Sequence, residues 1–204
     1  KNVDTIFEIG GQDSKFIRLE NGAIVDFAMN KVCAAGTGSF LEEQAEKLSV
    51  SIKGEFSKKA LSSCCPSPLG ERCTVFMESD LNHYQQRGTS KDDLLAGLSY
   101  SVVLNFINRV VEDRKIGDTI FFQGGVAANR SVKAAFEKVT GKKVIVPPHH
   151  DIMGAIGSAI IAMEEKTWEK SRFKGFDLRH KRYELTSFVC KDCSNICEIR
   201  QVNI

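Results

Sequence analysis

The chain has 204 residues, which suits one domain with a sizeable core plus an appendage. Hydrophobic residues make up 42% and charged residues 26%, and 28 basic against 26 acidic side chains leave a net charge of +2. That balance gives no electrostatic case for nucleic acid or an anionic membrane, and no apolar run approaches the roughly 20 residues that a span needs.

The opening Lys1-Asn2-Val3-Asp4 is followed by no apolar targeting stretch, and the missing initiator Met points to a natural start upstream. Thr5–Ile9 is apolar and partly β-branched, and Gly10-Gly11 breaks the run. Ser14–Leu19 alternates as a strand does. Glu20-Asn21-Gly22 is a hairpin turn, since Asn-Gly accepts positive φ, and Ala23–Met29 forms a third strand. The chain therefore opens as a three-stranded antiparallel meander.

The period then becomes helical, with Phe40, Leu41, Ala45 and Leu48 close to one face. Thr37 or Ser39 can cap this helix, and Ser39 with Glu42 has capping-box spacing. Ser49–Gly70 has weak periodicity, contains Cys64-Cys65-Pro66-Ser67-Pro68, and reads as a loop or irregular insertion. Ser90 precedes a long helix to about Lys115, with Leu94, Leu95, Leu98, Val102, Phe106 and Val110 inward and Gly117 as its stop.

Thr119–Gln123 reads as a buried strand running into Gly124-Gly125. Asn129 caps a helix carrying Val132, Ala135, Phe136 and Val139, stopped by Gly141. Val144-Ile145-Val146 is the next strand, ended by Pro147-Pro148. Asp151 is placed to cap a last helix to about Glu165, whose Gly154, Gly157, Ser158 and Ala159 form a small side open to another backbone. The order βββ-α-(insertion)-α-β-α-β-α predicts a mixed α/β sheet covered by helices. Residues 1–165 read as this domain, and residues 166–204, with a basic run and three cysteines, as linker and Cys-rich appendage.

Two turns carry the chemistry. Gly10-Gly11-Gln12-Asp13 lets backbone N–H groups approach a phosphate without a Cβ in the way. Asp13 is then placed to hold Mg²⁺ through water or to orient an attacking water, and Gln12 to hydrogen-bond the same water. Alone, such a turn is more often only a hairpin. Gly124-Gly125-Val126-Ala127-Ala128-Asn129 changes the odds, because a buried strand ends there in two glycines ahead of a capped helix. That is where α/β sheets bind ligands, and an adenine or ribose fits flat against the glycines.

Phe7-Glu8-Ile9-Gly10-Gly11-Gln12-Asp13-Ser14-Lys15 and Cys33-Ala34-Ala35-Gly36-Thr37-Gly38-Ser39-Phe40-Leu41 resemble the BadF/BadG/BcrA/BcrD ATPase family, and in particular activators of 2-hydroxyacyl-CoA dehydratases. Cys73–Asp80, Gly124–Asn129 and Gly154-Ala155-Ile156-Gly157 follow the same pattern in order, and the similarity covers about Asp4–Ala162. The resemblance implies an actin-like, heat-shock and sugar-kinase ATPase fold, a ribonuclease H-like βββαβαβα mixed sheet. It implies ATP or ADP with Mg²⁺ as ligand, and a homodimer sharing one four-iron four-sulfur cluster. It also implies a cytoplasmic protein whose ATP turnover drives an electron to a dehydratase. No first phosphate loop of the Asp-x-Gly-Ser-Thr kind precedes Gly10, so the likeness is to the second lobe alone.

Seven cysteines, an odd number, argue against a disulfide framework. Cys33 and Cys73 are far apart in sequence, so neither belongs to a compact knuckle. Under the family likeness they supply two thiolates per subunit, and a two-fold axis makes the four that such a cluster takes. Without that likeness two buried thiols are the plainer reading. On this reading Asp13 and Cys33 lie at opposite ends of one short strand pair, which couples lobe motion to the cluster. Cys190-x-x-Cys193-x-x-x-Cys197 is a separate signal: three thiols at this spacing can meet one metal, zinc or iron–sulfur, or else form an incidental tail. His149-His150-Asp151 reads as helix cap and cleft lining rather than a metal site. Two other classes stand beside the activator: a small-molecule kinase of the same superfold, which leaves Cys33 and Cys73 without a role, and a non-catalytic dimerisation module.

Overall fold

A computed structural model describes residues 3–31, 35–71, 73–165, 173, 175–180 and 182–203. The chain divides into two compact units, Lys1–Ile160 and Ile161–Ile204.

The first unit opens with the expected meander, β1 (Thr5–Ile9), β2 (Ser14–Glu20) and β3 (Ala23–Met29). Asn21 and Gly22 both take positive φ, 50° and 81°, the geometry of a two-residue hairpin turn. β4 (Ile120–Gln123) and β5 (Val144–Ile145) join the same sheet in the order β3-β2-β1-β4-β5. β1 pairs antiparallel with β2, and parallel with β4. β4 in turn pairs parallel with β5. Because β1 and β4 are parallel neighbours, the two glycine turns that follow them emerge side by side at the same end of the sheet.

Alternation along β1 buries Thr5, Phe7 and Ile9 on one face. Phe16 of β2 and Phe122 of β4 join them there. Two helices cover this face, α4 (Lys91–Phe106) and α5 (Arg130–Thr140). Phe7 lies 5.1 Å from both Phe106 and Phe136, measured between ring centres, and Phe122 lies 5.0 Å from Phe136. Four aromatic rings thus form the centre of the core, in the tilted and edge-on contacts that aromatic pairs prefer. α1 (Gly38–Lys47) buries Phe40, Leu41, Gln44 and Ala45, as its spacing predicts.

Several expectations are corrected. Ser49–Gly70 is not a plain loop: it holds α2 (Phe56–Ser62), with Phe56 and Ala60 buried. A further helix, α3, spans Thr74–Gln86. α4 passes into a π-helical turn at Ile107–Val111 and stops at Glu112, whose φ of 55° leaves the helical region well before Gly117. The run Lys91–Val111 is 21 residues and apolar enough by composition to cross a membrane, longer than expected. It is mostly buried inside the lobe and serves as the core helix. Thr37 occupies the cap position of α1 without a side-chain cap bond, and the Ser39–Glu42 box does not form, because the Ser39 hydroxyl is used elsewhere.

α6 spans Met153–Glu164, so Ile152 and not Asp151 precedes its first residue. None of its residues is buried. No described atom comes within 4 Å of a Cβ built at Gly154 or Gly157. In the second unit, β6 (Glu184–Val189) and β7 (Glu198–Asn203) form a separate antiparallel hairpin.

Candidate functional site

The first turn is closed by the Gly10 N–H donating to the Asp13 carbonyl at 2.8 Å. The start of α1 docks on it. The Gly38 N–H donates to the Gly10 carbonyl and the Ser39 N–H to the Gly11 carbonyl, each at 2.8 Å, and the Ser39 hydroxyl donates to Gly11 at 2.5 Å. These first N–H groups of α1 are therefore spent on the turn instead of on a ligand. The approach demands glycine at 38, where a Cβ would stand 2.8 Å from the Gly10 carbonyl oxygen and 3.1 Å from Val126.

The second turn is pinned as firmly. A Cβ at Gly124 would lie 2.3 Å from the Ile9 carbonyl oxygen, and its φ is +90°, so both space and backbone require glycine. The Gly124 N–H donates to the His150 carbonyl at 2.7 Å, and His150 Nδ1 lies 3.0 Å from the Gly124 carbonyl. A 3₁₀ turn over Gly125–Ala128 follows, and Asn129 caps α5 by accepting from Ser131 N and Val132 N. The other atom of that amide, Asn129 Nδ2, is buried and without a hydrogen-bond partner.

Between these turns lies a cleft of about 400 Å³. Gly10, Gly11 and Gly38 form one side, and Gly125, Val126, Ala128 and Asn129 the other. Leu41 and Glu42 of α1 line it, with Ile52, Lys53, Gly54 and Ser57 closing the third wall. This last group belongs to the stretch expected to be an insertion. No local pattern marks it, since its role comes from where α2 is packed. Gly124 lies behind the wall, and Gln12 and Asp13 stand exposed beside the cleft without lining it.

Two carboxylates of the sheet are tightly held, one near each end of β1. Glu8 sits between Lys15 on β2 and Gln123 on β4, 2.7 Å from the Lys15 ammonium. Partial burial pushes its carboxyl upward, but the Lys15 and Gln123 hydrogen bonds and the Lys15 charge prevail and hold it below the usual range. Asp4 accepts from Asp118 N and Thr119 N at the opposite end of the sheet. Burial again opposes ionisation there, and those backbone donors, with Thr5 and Arg18, bring its carboxyl below the usual value.

Residues 1–162 match the sequence profile of the BadF/BadG/BcrA/BcrD ATPase family. The chain belongs to this family. It is 37% identical over 167 residues to the (R)-2-hydroxyglutaryl-CoA dehydratase activating ATPase of Acidaminococcus fermentans, covering 80% of this chain and 62% of that protein. The crystal structure of that dehydratase's component A superposes with a TM-score of 0.75 at 36% identity, over 80% of this chain and 62% of the other. The activator of the 2-hydroxyisocaproyl-CoA dehydratase from Clostridium difficile, solved with bound ADPNP, gives a TM-score of 0.75 at 32% identity, over 80% and 61% of the two chains. The lobe thus has the actin-like ATPase fold, and the chain spans about three-fifths of the length of these relatives.

Within this family member the cysteines fall in four places. Cys33 lies outside the described residues. The strand pair leading to it runs the other way from the expectation. Ser14 N donates to Asn30 Oδ1 at 2.8 Å, and Asn30 Nδ2 donates to the Gln12 carbonyl at 3.1 Å. The segment before Cys33 therefore leaves from the same end as Asp13, not the opposite one. Cys73 is half-buried with a free thiol and stands at the cap position of α3, whose first turn holds no acidic residue. Cys64 and Cys65 are exposed, and Asp93 anchors their loop by accepting from Ser63 Oγ and Cys65 N. In the second unit Cys190 is half-buried and Cys193 and Cys197 exposed, and no disulfide joins them. Among the described residues no three His, Cys, Asp or Glu side chains already stand together as a metal site.

Proposed function

We propose that this chain is the second lobe of a cytoplasmic ATP-dependent activator of a 2-hydroxyacyl-CoA dehydratase or a related reductase. The observation that carries the reading is the cleft between the two glycine turns, in a chain of this family. Its size lies in the range of small-molecule pockets. Leu41, Ile52 and Val126 offer apolar surface to an adenine, and the Glu42 carboxylate is suited to accept from ribose hydroxyls. Asn129 Nδ2 is a donor in need of an acceptor, which a nucleotide oxygen or a water bridging to it supplies. Gln12 and Asp13 then face the phosphates: Asp13 carries Mg²⁺ through water and Gln12 orients the attacking water. The other half of the phosphate site comes from a first lobe, so this lobe alone binds MgATP weakly.

Coupling to redox chemistry rests on Cys33 and Cys73. Cys73 suits a cluster ligand, since it stands at the start of α3, where the helix dipole favours the negative charge of a bound cluster and the first turn holds no carboxylate. Two such chains related by a two-fold axis contribute four thiolates to one four-iron four-sulfur cluster, which when bound supplies a low-potential electron. Asn30 links the Gln12 backbone to the segment approaching Cys33, so movement of the phosphate turn is passed along that segment. A small-molecule kinase of the same superfold gives these cysteines no role. Anaerobic reconstitution with iron and sulfide is expected to give a dimer with visible absorbance that is lost in both Cys33→Ala and Cys73→Ala. Absorbance that survives both changes contradicts the proposal.

A further inference from the structure

The second unit contains a hairpin without a core. β6 and β7 pair in register from Glu184↔Asn203 to Val189↔Glu198, and every residue of both strands is exposed. Leu185 and Val202 face solvent on one side, and Phe188 and Ile199 on the other. A two-stranded hairpin with both faces wet is marginal in water, so this one needs a staple.

Its closed end supplies the chemistry for one. The register continues past β6, because the Cys190 N–H donates to the Cys197 carbonyl at 2.8 Å. Cys190 and Cys197 are therefore directly opposed, on the same side as Phe188 and Ile199. Opposed residues carry their Cβ atoms about 5 Å apart, and a zinc–sulfur bond is about 2.3 Å, so two such thiolates reach one ion between them. Cys193 begins the turn between them, its carbonyl accepting from the Ile196 N–H at 3.5 Å. Ile196 takes a φ of 48°, which reverses the chain toward Cys197. All three thiols are free, and a disulfide would use two and strand the third.

We propose that Cys190, Cys193 and Cys197 hold one zinc ion as thiolates, with water in the fourth position, and that this ion keeps the hairpin folded. Binding exchanges three S–H bonds for three Zn–S bonds and releases three protons to solvent, with no change of oxidation state. Three thiolates on a divalent ion leave one negative charge, which the exposed site leaves to solvent, since Asp192 and Glu198 balance the flanking Lys191 and Arg200. The three side chains are not yet gathered, so closure on the ion is a rotation of mostly exposed cysteines. This site is independent of Cys33 and Cys73.

The test is the metal content of the full 204-residue chain purified without added metal. Wild type and Cys73→Ser are expected to carry one zinc per chain, and Cys190→Ser, Cys193→Ser and Cys197→Ser each to lose it. Cobalt substitution is expected to give a thiolate-to-metal absorption band in wild type that is absent from the Cys190→Ser/Cys197→Ser double variant. Chelation is expected to abolish amide-exchange protection at Phe188 and Ile199 while sparing Phe7 and Phe136. The proposal is overturned if zinc persists in the double variant. It is also overturned if wild type carries none, with Cys190 and Cys197 joined as a disulfide, or if chelation leaves the hairpin protected.

Discussion

At the residue scale the two glycine turns are held by contacts that a single atom breaks. Gly124→Ala places a methyl 2.3 Å from the Ile9 carbonyl oxygen at a φ of +90°. We expect a loss of about 3 kcal/mol in urea unfolding, from strain and clash together. An unchanged midpoint would mean that the turn is slack. Glu8 and Asp4 are two of the depressed carboxylates that shape the acid limb of stability, beside Asp93 and Glu137. Glu8 and Asp4 bind protons more weakly when folded than when unfolded, so the unfolded chain takes up more protons as pH falls. Their contribution is complete above the ordinary values of 4.5 and 3.8 and is lost as pH drops below these through the folded values. Glu8→Gln and Asp4→Asn should therefore flatten the acid side of a midpoint-versus-pH curve and lower the plateau near neutrality. A parallel downward shift at every pH would contradict that assignment.

At the element scale the legible parts of the fold were those fixed by local pattern. The alternation of β1 and β2, the Asn21-Gly22 turn, the inward face of α4 and the Asn129 and Ser90 caps all stand where their residue types place them. α2 was not legible, because only Phe56 and Ala60 of its seven residues are buried and so leave almost no periodic signal. The third wall of the cleft went unseen for the same reason. The Ser39 hydroxyl defeats a capping-box reading for a nonlocal cause: its acceptor, Gly11, is 28 residues away in sequence. The segment toward Cys33 runs opposite to the expectation because β3 returns to the start of β2, as a meander requires. α5 offers a way to separate stability from binding. Asn129→Ala removes the cap and should cost about 1 kcal/mol. Asn129→Asp keeps an acceptor for Ser131 N and Val132 N but removes the Nδ2 donor and adds a charge beside the cleft. It should leave the unfolding midpoint near wild type yet weaken nucleotide binding at least tenfold, read by competition with a fluorescent ATP analogue. Nucleotide binding left unchanged in Asn129→Asp would make Asn129 a cap and nothing more.

At the scale of the whole molecule, the proposed function makes the chain one wall of a nucleotide clamp. It spans about three-fifths of relatives whose names record activation of CoA dehydratases, and one of those relatives was solved with ADPNP bound. Membership of the family was legible from two short glycine- and cysteine-bearing stretches, while the cleft itself needed β1 and β4 to be placed side by side. The most direct measurement is amide mapping of the isotope-labelled chain titrated with MgATP. The expected result is weak binding, with a dissociation constant of about 1 mM, and shifts concentrated at Gly10, Gly11, Gly38, Gly125 and Asn129. Shifts confined to other parts of the chain, or none at millimolar MgATP, would contradict a nucleotide site between the two glycine turns.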